Sequence, residues 1–107
     1  MEVEEIFQEH ITLDLTDCRY VMEFWKRIKE SFAFQEHFGN NWDAFWDMLK
    51  WECPACSVTV IGANTLPPDW KALDGETFSE KIQKILQKNK EFLAKYNEEF
   101  TYEFIDS

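Results

Sequence analysis

Two carboxylates, Asp43 and Asp47, lie four residues apart in a stretch where Trp42, Phe45, Trp46 and Leu49 recur at i, i+3, i+4 and i+7. A helix there puts both acids on one face, about one turn apart, beside the aromatic stripe. Such a pair forms an acidic patch that can accept charge-assisted hydrogen bonds from Arg, Lys or protonated His. A plainer reading stands next to it. Asp43 suits a helix N-terminus through the dipole, and two like charges at this spacing cost only about 0.2–0.5 kcal/mol. A catalytic reading would need environments that push the two pKa values apart, and a surface-facing helix pair supplies no reason for that.

The remaining reactive side chains converge less. Cys53-Pro54-Ala55-Cys56 has the spacing of a redox pair or half a zinc site. It precedes a strand, however, where a redox pair sits between a strand and the helix that stabilises its thiolate, and no third and fourth zinc ligands are evident. With Cys18 these make an odd set of three, which fits reduced thiols better than a secreted disulfide framework. His10 and His37 have no motif partner, and no nucleophile elbow, phosphate loop or metal-ligand cluster is visible. The expectation is no catalytic residue, no metal and no cofactor.

The elements that must position these residues follow from periodicity. Ile11, Leu13 and Leu15 alternate with polar residues, so Ile6–Leu15 reads as a half-buried strand. Asp17 can cap a helix running to about Phe32, with Val21, Phe24, Trp25 and Ile28 at helical spacing. In His37-Phe38-Gly39-Asn40-Asn41, the glycine and asparagines permit positive φ or offer a side-chain cap for the short helix Trp42–Leu49. Cys53-Pro54 ends that pattern. Ser57–Ile61 is rich in β-branched residues and reads as a buried strand. Residues 64–75 form a loop holding one short helical segment near Pro68–Leu73. Thr77-Phe78-Ser79-Glu80 is a capping box opening a helix to about Tyr96. Thr101–Ile105 is the closing strand, its faces only imperfectly marked by Tyr102 and Phe104. The order strand, helix, helix, strand, helix, helix, strand argues for an α/β fold: a three-stranded parallel sheet with right-handed connections, packed with about four helices.

Length and charge narrow the class further. With 107 residues, 45% of them hydrophobic and 17% aromatic, the chain suits one domain, and its Trp, Phe and Tyr side chains can close a core without disulfides or metal. Asp and Glu number 21 against 11 Lys and Arg, a net charge of -10. That field repels nucleic acid and anionic membranes and steers cationic proteins toward encounter. The N-terminus lacks the features of a signal peptide, and no apolar run reaches transmembrane length, so the expected compartment is the cytoplasm.

Phe38-Gly39-Asn40-Asn41-Trp42-Asp43-Ala44-Phe45-Trp46-Asp47-Met48-Leu49 resembles the barstar family, in which an aromatic-Gly-x-Asn-Leu-Asp-Ala-Leu-Trp-Asp stretch in a loop and helix plugs a ribonuclease active site. Gly39, Asn41, Asp43, Ala44, Trp46 and Asp47 match it residue for residue, and the order of elements agrees over nearly the whole chain. The resemblance implies a ribonuclease inhibitor of the immunity or antitoxin type, a monomer when free and bound one-to-one to a basic toxin. It implies partner-binding roles for His37, Phe38, Gly39, Asn41, Trp42, Asp43, Trp46, Asp47 and Trp51. His37 stands where the family has Tyr, and Trp42 replaces its Leu near the binding edge, Trp46 being the better candidate for the core; Trp51 falls where the family has a rim Trp. On the last long helix the family uses a glutamate, where this register puts Lys88 or a neighbour, with Glu91 a poor substitute. That departure keeps a second reading open: a barstar-fold adaptor that binds a different basic protein without inhibiting a nuclease.

Overall fold

Alternation of apolar and polar residues around Ile11 and Leu13 produces strand β1 (His10–Asp14), and the β-branched run Ser-Val-Thr-Val-Ile produces β2 (Ser57–Ile61). The closing strand is β3 (Thr101–Ile105). The computed structural model describes residues 10–32, 34, 39, 41–52 and 57–107, the side chains of residues 50–52 excepted. All pairings are parallel and the order is β1-β2-β3. Parallel neighbours require crossovers. These are supplied by α1 (Val21–Phe32) and α2 (Trp42–Glu52) between the first two strands, and by α3 (Phe78–Ala94) between the last two.

The register aligns two apolar rows across the sheet, Ile11–Val58–Tyr102 and Leu13–Val60–Phe104. Both rows belong to or pack on a core built with Phe24, Trp25, Ile28 and Phe32 of α1, Phe45 and Leu49 of α2, and Phe78, Ile82, Ile85 and Leu86 of α3. Tyr102 and Phe104 therefore point inward in strict alternation with exposed Glu103, a phase that β3 acquires from its neighbour β2. The opposite sheet face is polar in its first two rows and carries Ile61 and Ile105 in its third. There Ser57 Oγ and His10 Nδ1 are 2.7 Å apart, Thr59 Oγ1 lies 3.0 Å from His10 Nε2, and the Thr59 hydroxyl donates to Glu103 at 3.2 Å.

Three expectations are corrected. Asp17 does not cap α1: it adopts φ 60 and its N–H donates to Thr65 Oγ1 at 3.3 Å. The helix starts at Val21, where Glu23 accepts the Arg19 N–H at 2.9 Å and pairs with Arg27 at 2.9 Å. Arg27 also donates to the Asp14 and Thr16 carbonyls, at 3.1 and 2.6 Å, fastening α1 to the end of β1. Second, the fourth helix near Pro68–Leu73 is not formed. A 3-10 turn at Ala63–Thr65 precedes it, and the chain then makes a Lys71–Thr77 bridge, with the Trp70 carbonyl accepting from the Phe78 N–H at 3.1 Å. The backbone groups of this loop are thus satisfied by turns, not by a helical ladder. Third, α2 continues past Leu49 to Glu52, because nothing before Pro54 breaks it.

The capping box is as expected. Thr77 Oγ1 accepts the Glu80 N–H at 3.2 Å while Glu80 accepts the Thr77 N–H at 3.0 Å. The expected start of the first strand at Ile6 and the Cys53–Cys56 pair lie outside the described residues. Cys18 is buried and unbridged, and burial pushes its thiol pKa up. Among the described residues no helix is long and apolar enough to cross a membrane, and no group of three or more His, Cys, Asp or Glu is arranged to hold a metal ion.

Candidate functional site

Asn41 sets the start of α2. Its Oδ1 accepts the Ala44 N–H at 2.8 Å, an N-cap bond to the third helical residue, and its Nδ2 donates to the Gly39 carbonyl at 3.1 Å. The sequence offered either positive φ or a side-chain cap here, and the Asn41 cap is what forms. Gly39 is needed for closeness instead. A Cβ there would sit 3.2 Å from Asn41 Nδ2 and 3.4 Å from Ala44 Cβ, crowding the cap. On the other side of the loop, Phe34 is buried, stacked on Phe32 with centroids 5.3 Å apart and tilted against Phe45 at 6.3 Å. Phe34 on one side, and Gly39 with Asn41 on the other, are thus each held in place; His37 and Phe38 lie outside the described residues.

The helix then sorts its residues by angle. Phe45 and Leu49 are buried, at 0% and 1% exposure. Trp42 is half-buried and belongs mainly to the core, its ring 4.9 Å from Trp25, 5.1 Å from Phe78 and 5.6 Å from Phe24. Asp43 and Asp47 follow Trp42 and Trp46 by one residue, about 100° round the helix, and both are exposed. Asp43 stands in the first turn, where the helix dipole favours an anion. The structure thus brings Gly39, Asn41, Asp43 and Asp47 together at one end and face of α2, with Trp46 on the shoulder between that face and the core. Of Trp51 only the backbone is described.

Trp46 carries the boundary with α3. Its ring meets Phe92 edge-on at 5.9 Å, and Lys88 Nζ lies 4.8 Å from its centroid, a cation–π contact. Lys88 therefore faces α2, as the register implied. Glu91 does not: it accepts from Gln87 at 3.0 Å, and Gln87 in turn accepts from the Tyr102 hydroxyl at 2.8 Å, on the flank toward β3. No carboxylate of α3 replaces Lys88 on the Trp46 side among the described residues 87–92.

A shallow groove of about 300 Å³ adjoins the acidic face, lined by Asn41, Trp42, Asp43, Ala72, Leu73, Asp74 and Lys81. Periodicity could not find its second bank, because the 72–74 turn meets α2 only in the fold; the Asp74-Gly75 turn signal was its sole trace in the sequence. A larger trough of about 700 Å³ runs along α3 between Glu76, Glu80, Lys84, Lys88 and Glu91. Its charges are mixed in sign, and we assign it no role. The His10–Ser57 contact has the spacing of a base and a nucleophile, yet both ring nitrogens are engaged and the carboxylate contacts Thr59 instead of the ring. It closes the polar face of the sheet.

What α2 presents is a capped, rigid pair of carboxylates with an aromatic shoulder, suited to binding cations on another protein. Among known families, the model of the one described as Barstar (barnase inhibitor) matches residues 8–105. No curated protein matches the chain significantly. Since the match spans nearly the whole length and the parallel sheet with its helical crossovers is in place, the chain belongs to the barstar family.

Proposed function

We propose that this protein inhibits a ribonuclease by inserting the loop–helix segment 37–47, with Trp51 at its rim, into the nuclease active site. The observation that carries the reading is the exposed Asp43/Asp47 pair on a helix whose first turn is locked by Asn41. A ribonuclease must hold phosphates with Arg, Lys and His, and two carboxylates at fixed spacing satisfy the same donors. The inhibitor mimics the charge of the substrate and offers no bond to cleave. Because the cap and the aromatic packing fix the pair before binding, little ordering entropy opposes association. The net charge of -10 accelerates encounter with a basic nuclease, so added salt slows association more than it speeds dissociation. In this reading the protein acts in the cytoplasm as an immunity protein or antitoxin, one inhibitor per nuclease, without a cofactor.

Titration into barnase and a panel of other small basic ribonucleases, following RNA cleavage, tests it. Stoichiometric inhibition that the Asp43→Ala/Asp47→Ala variant loses is the expected result; a variant as potent as the wild type sinks the site.

One observation favours a second reading. Lys88 over Trp46 puts a cation beside the acidic face, which a uniformly cationic active site would repel. A barstar-fold adaptor for a different basic protein accommodates it. If Lys88→Glu creates nuclease inhibition that the wild type lacks, the adaptor reading is the better one.

A further inference from the structure

Opposite Asp43 stands a turn held unusually firmly for a surface loop. Lys71 and Thr77 form an antiparallel bridge; inside it the Ala72 N–H donates to the Glu76 carbonyl at 2.8 Å and the Gly75 N–H to the Ala72 carbonyl at 2.9 Å. Asp74 Oδ1 accepts the Glu76 N–H at 3.1 Å. Gly75 has φ +90, which glycine adopts without steric cost. Two ion pairs, Asp74 with Lys81 at 3.0 Å and Glu76 with Lys84, tie the turn to α3. At its tip Leu73 is fully exposed, at 109%.

A single exposed leucine needs no function in itself. This one differs in its setting. It stands on a preorganised turn, it shares a groove with Asn41, Trp42 and Asp43, and that groove is acidic. Asp43 lies on one bank and Asp74 on the other, and the one cation among the described residues of its lining, Lys81, is paired with Asp74.

We propose that Leu73 is an apolar anchor of the same interface, inserting into an apolar depression on the ribonuclease that is bordered by basic side chains, while Asp43 and Asp47 engage the phosphate-binding cations. The inference rests on the inhibitor reading and extends its footprint from α2 across the groove to the 72–75 turn. Charge complementarity selects the occupant: with Asp74 paired to Lys81 the lining keeps a net negative charge at Asp43, which attracts a basic surface, and the groove is continuous with the carboxylate pair. A leucine already exposed and held on a rigid turn gains by burial without first ordering its backbone.

Leu73→Ala and Leu73→Ser should dissociate from the inhibited ribonuclease, barnase or the panel member that responds, about tenfold faster than wild type, leucines seldom reaching the effect of Trp or Arg anchors. The salt dependence of association and the thermal midpoint should not move. Wild-type dissociation of both variants, alongside lost binding by Asp47→Ala, overturns the anchor and leaves the inhibitor reading intact. A fall in thermal midpoint also overturns it, since Leu73 would then serve the fold. Failure of the wild type to inhibit any ribonuclease of the panel overturns the inhibitor reading, and the proposed occupant with it.

Discussion

The first turns of α1 and α2 each carry an acid, and what stands four residues later differs. Glu23 is followed by Arg27, which it meets at 2.9 Å, and Arg27 goes on to two carbonyls at the end of β1. Asp43 is followed by Asp47, a second carboxylate. On α1 the acid completes a network inside the chain, whereas on α2 the spacing gathers negative charge at the surface. The same helical geometry, i to i+4, thus builds an ion pair that fastens the fold in one place and a surface concentration of negative charge in the other. Exposure follows the same division: the Glu23 side chain is 19% exposed and Arg27 28%, while Asp43 and Asp47 are exposed.

If that division is right, substitutions on the two helices separate cleanly. The largest effect is expected from Asp47→Ala on binding to the target nuclease, a loss of about 2–5 kcal/mol, because it leaves buried cations of the partner unpaired. That magnitude is carried over from charge pairs in barnase and its inhibitor, the reference system for such truncations, and is not a result of the geometry here. Titration calorimetry reads it, and the urea midpoint should stay where it is. Arg27→Ala should do the reverse, lowering stability by about 2–3 kcal/mol through three lost charge-assisted hydrogen bonds, with the nuclease dissociation constant unchanged in the folded protein. An Arg27→Ala protein as stable as wild type would break the comparison at its α1 end.

Asn41→Ala tests the join between fold and site. Losing the cap should cost about 1 kcal/mol of stability. It should also weaken binding, since the first turn of α2 holds Asp43. Asn41→Asp keeps an acceptor for the Ala44 N–H and should restore stability, which separates the role of the cap from that of the amide itself. Chemical denaturation with parallel binding measurements distinguishes the two.

Strands and caps were readable in the sequence because their signals are local. Ser57–Ile61 and Thr101–Ile105 have the expected bounds, and the Thr77 capping box is complete. What escaped was decided by tertiary contacts. Asp17 has the chemistry of a cap, but the Thr65 hydroxyl draws its backbone into a turn and delays α1 to Val21. The Pro68–Leu73 segment has a helix-compatible composition, yet while Trp70 packs on Phe78 at 5.7 Å, Leu73 is fully exposed, so no apolar stripe supports a helix there. Within the site, the carboxylate pair and the Asn41 cap were legible from spacing. The division of labour between the tryptophans was not. The sequence favours Trp46 for the core and Trp42 for the binding edge, whereas the positions of Trp25 and Phe78 draw Trp42 into the core while Lys88 and Phe92 hold Trp46 at its edge.

The smallest expected effect concerns acid stability, and its sign distinguishes the α1 network. Hydrogen bonding from the Arg19 N–H, then the Arg27 guanidinium, holds the Glu23 carboxyl below its ordinary 4.5, and the Thr16 N–H chiefly does the same for Asp14 below 3.8. A depressed folded-state pKa means that the unfolded chain takes up the proton first. The stabilisation is therefore complete above the ordinary carboxylate values and is lost as pH falls through the lower, folded ones. Glu23→Gln keeps an acceptor for the Arg19 N–H but removes the titration. Its urea midpoint, followed from about pH 6 to about pH 2, should fall less steeply on the acid side than that of the wild type, with Asp14 and Asp74, the latter held low by the Glu76 N–H and Lys81, contributing to the slope that remains. Equal slopes in the two proteins would mean that Glu23 is as well solvated when folded as when unfolded, and the contrast between the helices would then rest on Arg27 and its carbonyls alone.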